Sequence, residues 1–340
     1  MTEAALRSTA AAFRAVVEPL DDVWITVHES PDGDSIGAAL ALQRVLAGLG
    51  KRAVAIRQHP FPRHYESLPG AAAMGDVNDL GRLFRPRVVV AVDVGSFDRV
   101  GAINQHIGPH TTVINIDHHH GSECPPHAGR KLDLVDPDYP STTALVYALC
   151  STAWPGCIDA AAASCLYVGL ITDTGCFRFS NTNERTLRIG SELAGLGADP
   201  GHLSEAYMFR RRPEALRLLG DVLGTLRFHS GVRLATLVLT HAMLQRTGGR
   251  MDETEGFVNY ATSLDGVEVA AFLREVSAGS TRISLRSSHD FDVSVVARGF
   301  GGGGHRKAAG LSVPKGVDDA RTVIVDAILD HLPAAAPEAT

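Results

Sequence analysis

The chain has 340 residues, 45 % hydrophobic and 21 % charged, with a formal net charge of −6. That length exceeds what one hydrophobic core ordinarily supports and favours two domains. It holds no apolar run of about 18 residues, which argues against a membrane span, and an acidic chain is poorly suited to gripping long duplex nucleic acid through many phosphates. Five cysteines, an odd number with no Cys-x-x-Cys pair, argue against a disulfide framework and against a thiolate zinc site. The first residues lack a basic stretch followed by an apolar core, so no secretory signal is expected and a cytoplasmic location is.

In chain order, Val23–Val27 reads as a short strand and Ile36–Leu49 as a helix ending at Gly50. Strands follow at Ala53–Ile56, Val88–Val92 and Thr112–Ile116, the second an uninterrupted apolar run typical of a buried parallel strand. Thr142–Cys150 and Asp159–Ile171 read as helices. Strands alternating with helices predict a parallel sheet covered on both faces. A helix ends near Gly195–Pro200, and helix-prone sequence runs from His202 to Leu226 with Pro213 interrupting it. New strands are predicted at Val232–Leu239, Val267–Arg274 and Thr281–Arg286, followed by a glycine-rich stretch from Gly299 to Gly310. The tail after His331 is rich in Ala and Pro and is expected to be disordered. The domain limits read from this pattern are 1–190, a helical linker 191–225, and 226–335.

Four acidic or acidic-histidine clusters are placed after predicted strands: His28 to Asp34, Asp93, Asp117-His118-His119-His120, and Asp173 within Gly169 to Gly175. Ligands of open parallel sheets bind outside the carboxyl ends of the strands, so several of these clusters point to one crevice. Any one of them alone reads as a helix cap or an exposed loop; their combination and order carry the argument. Four carboxylates packed together repel, and two divalent cations would neutralise them. Oxygen donors with a minority of imidazoles suit Mn²⁺ or Mg²⁺, and two such ions can clamp a phosphoryl group for in-line attack.

The residues resemble the DHH phosphoesterases, in the branch with a DHHA1 second domain. His28-x-x-Pro31-Asp32-x-Asp34-x-x-Gly37 looks like the first motif, and Asp93 with Asp98-Arg99-Val100-Gly101 like the second. Asp117-His118-His119 looks like the naming motif, and Gly169-x-Ile171-Thr172-Asp173-Thr174-Gly175 like the fourth. Ser284 to Ser287 and Gly301 to Gly310 look like the DHHA1 signature. The layout is most similar to the small bacterial oligoribonuclease and pAp phosphatase group, which includes cyclic di-AMP phosphodiesterases. Val94 and Ser122 depart from the Thr and Asn common in the family.

This resemblance implies a parallel-sheet α/β DHH domain and a smaller mixed α/β DHHA1 domain, with the active site in the interdomain cleft. It implies two Mn²⁺ per site, Mg²⁺ being the alternative. His28 and Asp32 would bind the first, Asp34, His118 and Asp173 the second, and Asp93 both. His119 would face the substrate phosphate, with Asp117 orienting an imidazole. Arg99, Arg286, Gly303, Gly304 and His305 would hold the substrate. Implied substrates are short single-stranded RNA, pAp, pApA and cyclic di-AMP, among which the sequence does not choose, and a homodimer is implied as well. The alternatives are an inorganic pyrophosphatase or polyphosphatase, against which the glycine-rich signature argues, and a non-catalytic nucleotide sensor, which would not need all six ligands.

Overall fold

A computed structural model describes residues 1–288 and 290–332. The Ala- and Pro-rich tail from residue 333 lies outside the described residues, as does the end of the 226–335 range. The chain forms two compact units, Met1–Arg210 and Arg211 onward. In the first, the elements are α1 (Glu3–Val17), β1 (Asp22–Thr26), α2 (Gly33–Gly48), β2 (Arg52–Arg57), β3 (Gly75–Asp76), β4 (Val88–Val92), β5 (Thr112–Asp117), β6 (Arg130–Val135), α3 (Thr142–Ala153), α4 (Ala160–Asp173), α5 (Glu184–Gly195) and α6 (Pro200–Ser204). The six strands are all parallel, in the order β3-β2-β1-β4-β5-β6. The order reverses between β1 and β4, which opens a crevice at their carboxyl ends.

Alternation along the strands supplies two cores. Val23, Ile25, Val88, Val90, Val92, Ile114 and Ile116 pack with α1 to α4. Trp24, Val89, Ala91 and Val113 face the other way, against Phe97, Val100, Ile103 and Ile107. Both faces are covered, as the run of buried strands predicts, but the second is covered by a 3₁₀ segment (Phe97–His106) and loops instead of α-helices.

The helix pair α2 and α4 needs glycine. A Cβ on Gly37 would lie 2.4 Å from the Cys165 carbonyl oxygen, and one on Gly169 2.3 Å from Thr143 Cγ2 and 2.8 Å from an Asp34 oxygen. The helices therefore approach close enough to set the acidic first turn of α2 beside the end of α4.

The second unit contains α7 (Pro213–Leu223), β7 (Arg227–His229), β8 (Leu234–Leu239), α8 (His241–Thr247), α9 (Val258–Thr262), β9 (Val269–Ser277), β10 (Ser280–Ser287), α10 (Val293–Gly299), β11 (Gly303–His305), β12 (Ala308–Val313) and α11 (Val317–Leu329). Its sheet runs β11-β12-β10-β9-β8-β7 and is antiparallel except for the parallel pair β8 and β9. The α10 and α11 helices cover one face, and α7 and α9 pack on part of the other. Pro213 begins α7 instead of interrupting a helix, because the first helical position needs no N–H donor. The glycine-rich stretch is a hairpin, β11 to β12, turning at Arg306-Lys307.

Two glycines of α2 should respond oppositely. Gly37→Ala drives a Cβ into backbone and should cost about 1–3 kcal/mol, whereas Gly48, with open space around it, should gain a few tenths to about 1 kcal/mol on substitution by Ala. Thermal melts of both variants check this; a Gly37→Ala protein as stable as the parent would refute the close-approach argument.

Candidate metal centre

The carboxyl ends of β1, β4 and β5 bring most of the candidate ligands together. His28 follows β1 and is buried, and its Nδ1–H donates to the Glu29 carbonyl at 2.8 Å. That leaves Nε2 facing Asp93, 3.9 Å away. Burial and the Arg99 charge lower the His28 pKa despite Asp32, which keeps the ring neutral. Asp32 caps α2, accepting from the amides of Asp34 and Ser35. Asp34, in the first turn, is fully buried. It accepts from the Thr142 and Thr143 amides at 2.6 and 2.9 Å and from Thr143 Oγ1 at 2.6 Å. The N-terminus of α3 thus holds this carboxylate, as helix N-termini hold anions.

Asp93 follows β4 in the left-handed region, φ 59°, a conformation Asp tolerates at a cost of order 1 kcal/mol. Its amide donates to the Ile116 carbonyl, and Thr142 Oγ1 donates to its Oδ1 at 2.9 Å. His118 donates from Nδ1 to the Tyr139 carbonyl, so its Nε2 faces Asp173, Asp93 and Asp34 at 3.1, 3.6 and 4.0 Å. Asp173 is the last residue of α4. Its placement after a strand in the sequence reading is therefore corrected: the fourth cluster sits at a helix end, carried to the strand ends by the packing of α4 on α2.

Donor atoms of His28, Asp32 and Asp93 lie within 4.8 Å of one another, and so do those of Asp34, Asp93 and His118. Asp93 belongs to both groups. Burial, then Asp173, lifts Asp34 to about 7. Burial, then Asp34 and Asp32, lifts Asp93 well above the carboxylate range. Burial alone would lower His118, but its bond to Asp173 and the charge there raise it to about 9. Such a cluster is short of positive charge. Its oxygen and imidazole donors, with each imidazole fixed by a carbonyl behind it, fit divalent cations.

Asp117 ends β5 and belongs to neither of those two groups but to a third, with Asp93 and His119. It accepts from His119 Nδ1 and N at 2.7 and 2.9 Å, from Gly95 N at 2.7 Å and from Ser122 Oγ at 2.7 Å. These donors outweigh burial and hold its pKa below the usual range. His119 therefore turns its Nε2 away from Asp117. Asn115 Nδ2 donates to Ser122 Oγ behind this chain. Arg99 sits at the Val94-Gly95 turn, bonded to the Val94 carbonyl.

Sequence reasoning missed Thr142, Thr143 and Asn115. Ser141-Thr142-Thr143 ahead of an apolar helix was the available signal for the first two, an N-cap pattern; nothing local marks Asn115.

Arg286, Gly303, Gly304 and His305 lie in the second unit. Arg286 of β10 and His305 of β11 both pair with Ala308 of the strand between them, so they share one sheet face. Ala308 and Gly310 leave that face low between the two side chains.

Residues 22–170 match the DHH family, N-terminal domain, and residues 232–332 match the DHHA1 domain. The bifunctional oligoribonuclease and PAP phosphatase NrnA of Thermus thermophilus is 34 % identical over 332 residues, spanning 96 % of this chain and 94 % of its own. An exopolyphosphatase-related protein from Bacteroides fragilis is 27 % identical with a TM-score of 0.85, covering 95 % and 96 % of the two chains. RecJ of Thermus thermophilus in complex with Mn²⁺ shares the fold, with a TM-score of 0.56 at 16 % identity over 96 % of this chain and 55 % of RecJ.

Two measurements follow from the charge balance. A carboxyl whose pKa is raised on folding confers stability below its unfolded value, near 3.9, that is lost as pH climbs toward the folded value. Cation-free Asp93→Asn escapes this loss. At pH 8 it should be more stable than the cation-free parent, with the gap closing near pH 4. Mn²⁺ should raise the parent's melting temperature and leave the variant's unchanged; a cation-free parent that is the more stable at pH 8 would contradict the reading. Calorimetry in buffers of different ionisation enthalpy should also show protons released on cation binding at pH 6, fewer above pH 7 as Asp34 arrives ionised. Zero release at pH 6 would contradict it.

Proposed function

The chain belongs to the DHH phosphoesterases that carry a DHHA1 domain, and from that premise we propose that it hydrolyses short nucleotide substrates, namely RNA fragments of a few residues and 3′-phosphoadenosine 5′-phosphate, to mononucleotides with two divalent cations. The observation that carries the reading is Asp93, whose donor atoms group with those of His28 and Asp32 on one side and of Asp34 and His118 on the other. The name of the Thermus thermophilus relative supports the two substrate classes.

In this reading His28, Asp32 and Asp93 hold one cation, and Asp34, Asp93, His118 and Asp173 the other. Mn²⁺ is the preferred metal on donor chemistry. When bound, the cations neutralise phosphoryl oxygens and make water acidic enough to attack. The chain's own residues do the rest. Thr142 and Thr143 fix the Asp34 and Asp93 oxygens. Asp117 holds His119 through Nδ1, so that Nε2 meets the phosphate or the departing oxygen. Arg99 contributes positive charge on the β4 side. Arg286, His305 and the Gly303 and Gly304 amides hold the nucleotide. All five cysteines are free thiols, which supports a reducing, cytoplasmic setting, and the family resemblance is the basis for proposing a homodimer.

A kinetic panel of a ribodinucleotide, pAp, pApA and cyclic di-AMP, with inorganic pyrophosphate and polyphosphate as comparisons, tests the reading. Turnover of the dinucleotide and pAp with Mn²⁺, abolished by chelator, is the expected result; turnover of pyrophosphate or polyphosphate alone, or full activity in chelator, overturns it. The ligand and substrate roles are separable. Arg286→Ala and His305→Ala should keep both cations and lower kcat/KM for the dinucleotide about 10- to 150-fold, sparing a nitrophenyl phosphate ester. His118→Ala should impair both substrates together. Equal losses on both substrates for Arg286→Ala would sink the assignment of that residue to nucleotide recognition.

A further inference from the structure

The amino ends of the same strands carry a polar depression of about 740 Å³, open to solvent, in which Arg85, Arg87, His106 and His110 are exposed. Its lining includes Asp22 at the start of β1, Arg85 and Arg87 ahead of β4, Gln105 and His106 at the end of the 3₁₀ segment, and His110 ahead of β5. The volume falls within the range of small-molecule sites. The strands are five or six residues long, so this cavity is separated from the acidic cluster by roughly 17 Å of sheet at about 3.3 Å per residue.

Its charge is unbalanced in the opposite sense. Asp22 is the one carboxylate in the lining, and Arg52 neutralises it through Nε at 2.7 Å. Neither the Arg85 nor the Arg87 side chain has a hydrogen bond or ion pair among the described residues. Two imidazoles, His106 and His110, share the lining with these two guanidinium groups.

The walls are also rigid. The Arg87 amide donates to the Asp22 backbone carbonyl and its own carbonyl accepts from the Thr112 amide, which stitches its backbone between β1 and β5. Pro86 fixes the backbone between the two arginines. The loop bearing His106 and His110 is closed by Thr111 N to Gly108 O and Gly108 N to Thr111 Oγ1, and Gly129 N ties it down further. The His106 ring lies 5.2 Å from that of the buried Trp24.

We propose that this cavity binds a phosphomonoester dianion, with the sugar or nucleoside that bears it filling the remaining volume. Each of the two guanidinium groups can match the planar, two-oxygen face of a phosphate, and imidazole N–H groups can add donors. A free inorganic anion would leave most of 740 Å³ to water. The site lies at the far strand ends from the acidic cluster and needs none of its residues.

Trp24 and Trp154 are the two tryptophans of the chain, so Trp154→Phe leaves one reporter in contact with the cavity wall. In chelator and 150 mM salt, where diffuse attraction is screened, AMP and ribose 5-phosphate should each change Trp24 emission saturably. Both should bind at least tenfold more tightly than inorganic phosphate or sulfate. Arg85→Gln/Arg87→Gln should weaken both at least tenfold. Equilibrium dialysis of labelled AMP against the chain with its native Trp154 gives the same comparison should Trp154→Phe not fold. AMP binding untouched by the double substitution, or sulfate binding as tightly as AMP, overturns the proposal, the latter by marking an adventitious ion only. Ribose 5-phosphate matching AMP would support it and assign recognition to the sugar phosphate.

Discussion

Asp34 and Asp93 are buried carboxylates within reach of each other and of Asp32 and Asp173, and water does not solvate them enough to carry that charge. Burial and mutual repulsion push both toward the protonated form. The rest of the first unit can be understood as what is required to hold such a cluster in place. The α3 N-terminus donates two amides to Asp34, Thr142 donates its hydroxyl to Asp93, and the β4 turn holds Asp93 in a left-handed conformation that no unstrained strand would adopt. Local backbone cost and unfavourable charge are concentrated at one place, which is where function is usually found.

The three imidazoles follow one rule. His28, His118 and His119 each give Nδ1–H to an oxygen behind them, two to backbone carbonyls and one to Asp117. The Nε2 atoms of His28 and His118 are thereby committed to the acidic cluster. Asp117 plays a different part from the other aspartates: it groups with Asp93 and His119, but four donors surround it, hold its pKa down and commit its oxygens to positioning His119. Ser122, one of those donors, is itself held by Asn115 Nδ2.

Much of this was legible in the sequence because a buried parallel strand followed at once by Asp or His is an unusual juxtaposition. His28, Asp93 and Asp117 were singled out by that pattern and Asp32 by the cluster that follows His28, and β1, β4 and β5 were placed within a residue or so. Asp173 was singled out for its chemistry but placed for the wrong local reason: it closes a helix, and the close packing of α2 on α4 through Gly37 and Gly169 brings it to its partners. Thr142 and Thr143 could not be linked to Asp34 from sequence, since 108 and 109 residues separate them and the contact exists only once α3 is docked. The glycine-rich stretch announced itself as a signature, but its form, a hairpin that sets Arg286 and His305 on one face, depends on strand register that composition does not encode.

The central claim is that Asp93 serves two cations at once. Anomalous diffraction from crystals grown with Mn²⁺ addresses it most directly. The account predicts two peaks roughly 3.5–4 Å apart, each in contact with an Asp93 oxygen, one flanked by His28 and Asp32 and the other by Asp34, His118 and Asp173. A single peak at saturating Mn²⁺, or two peaks of which only one touches Asp93, would contradict it.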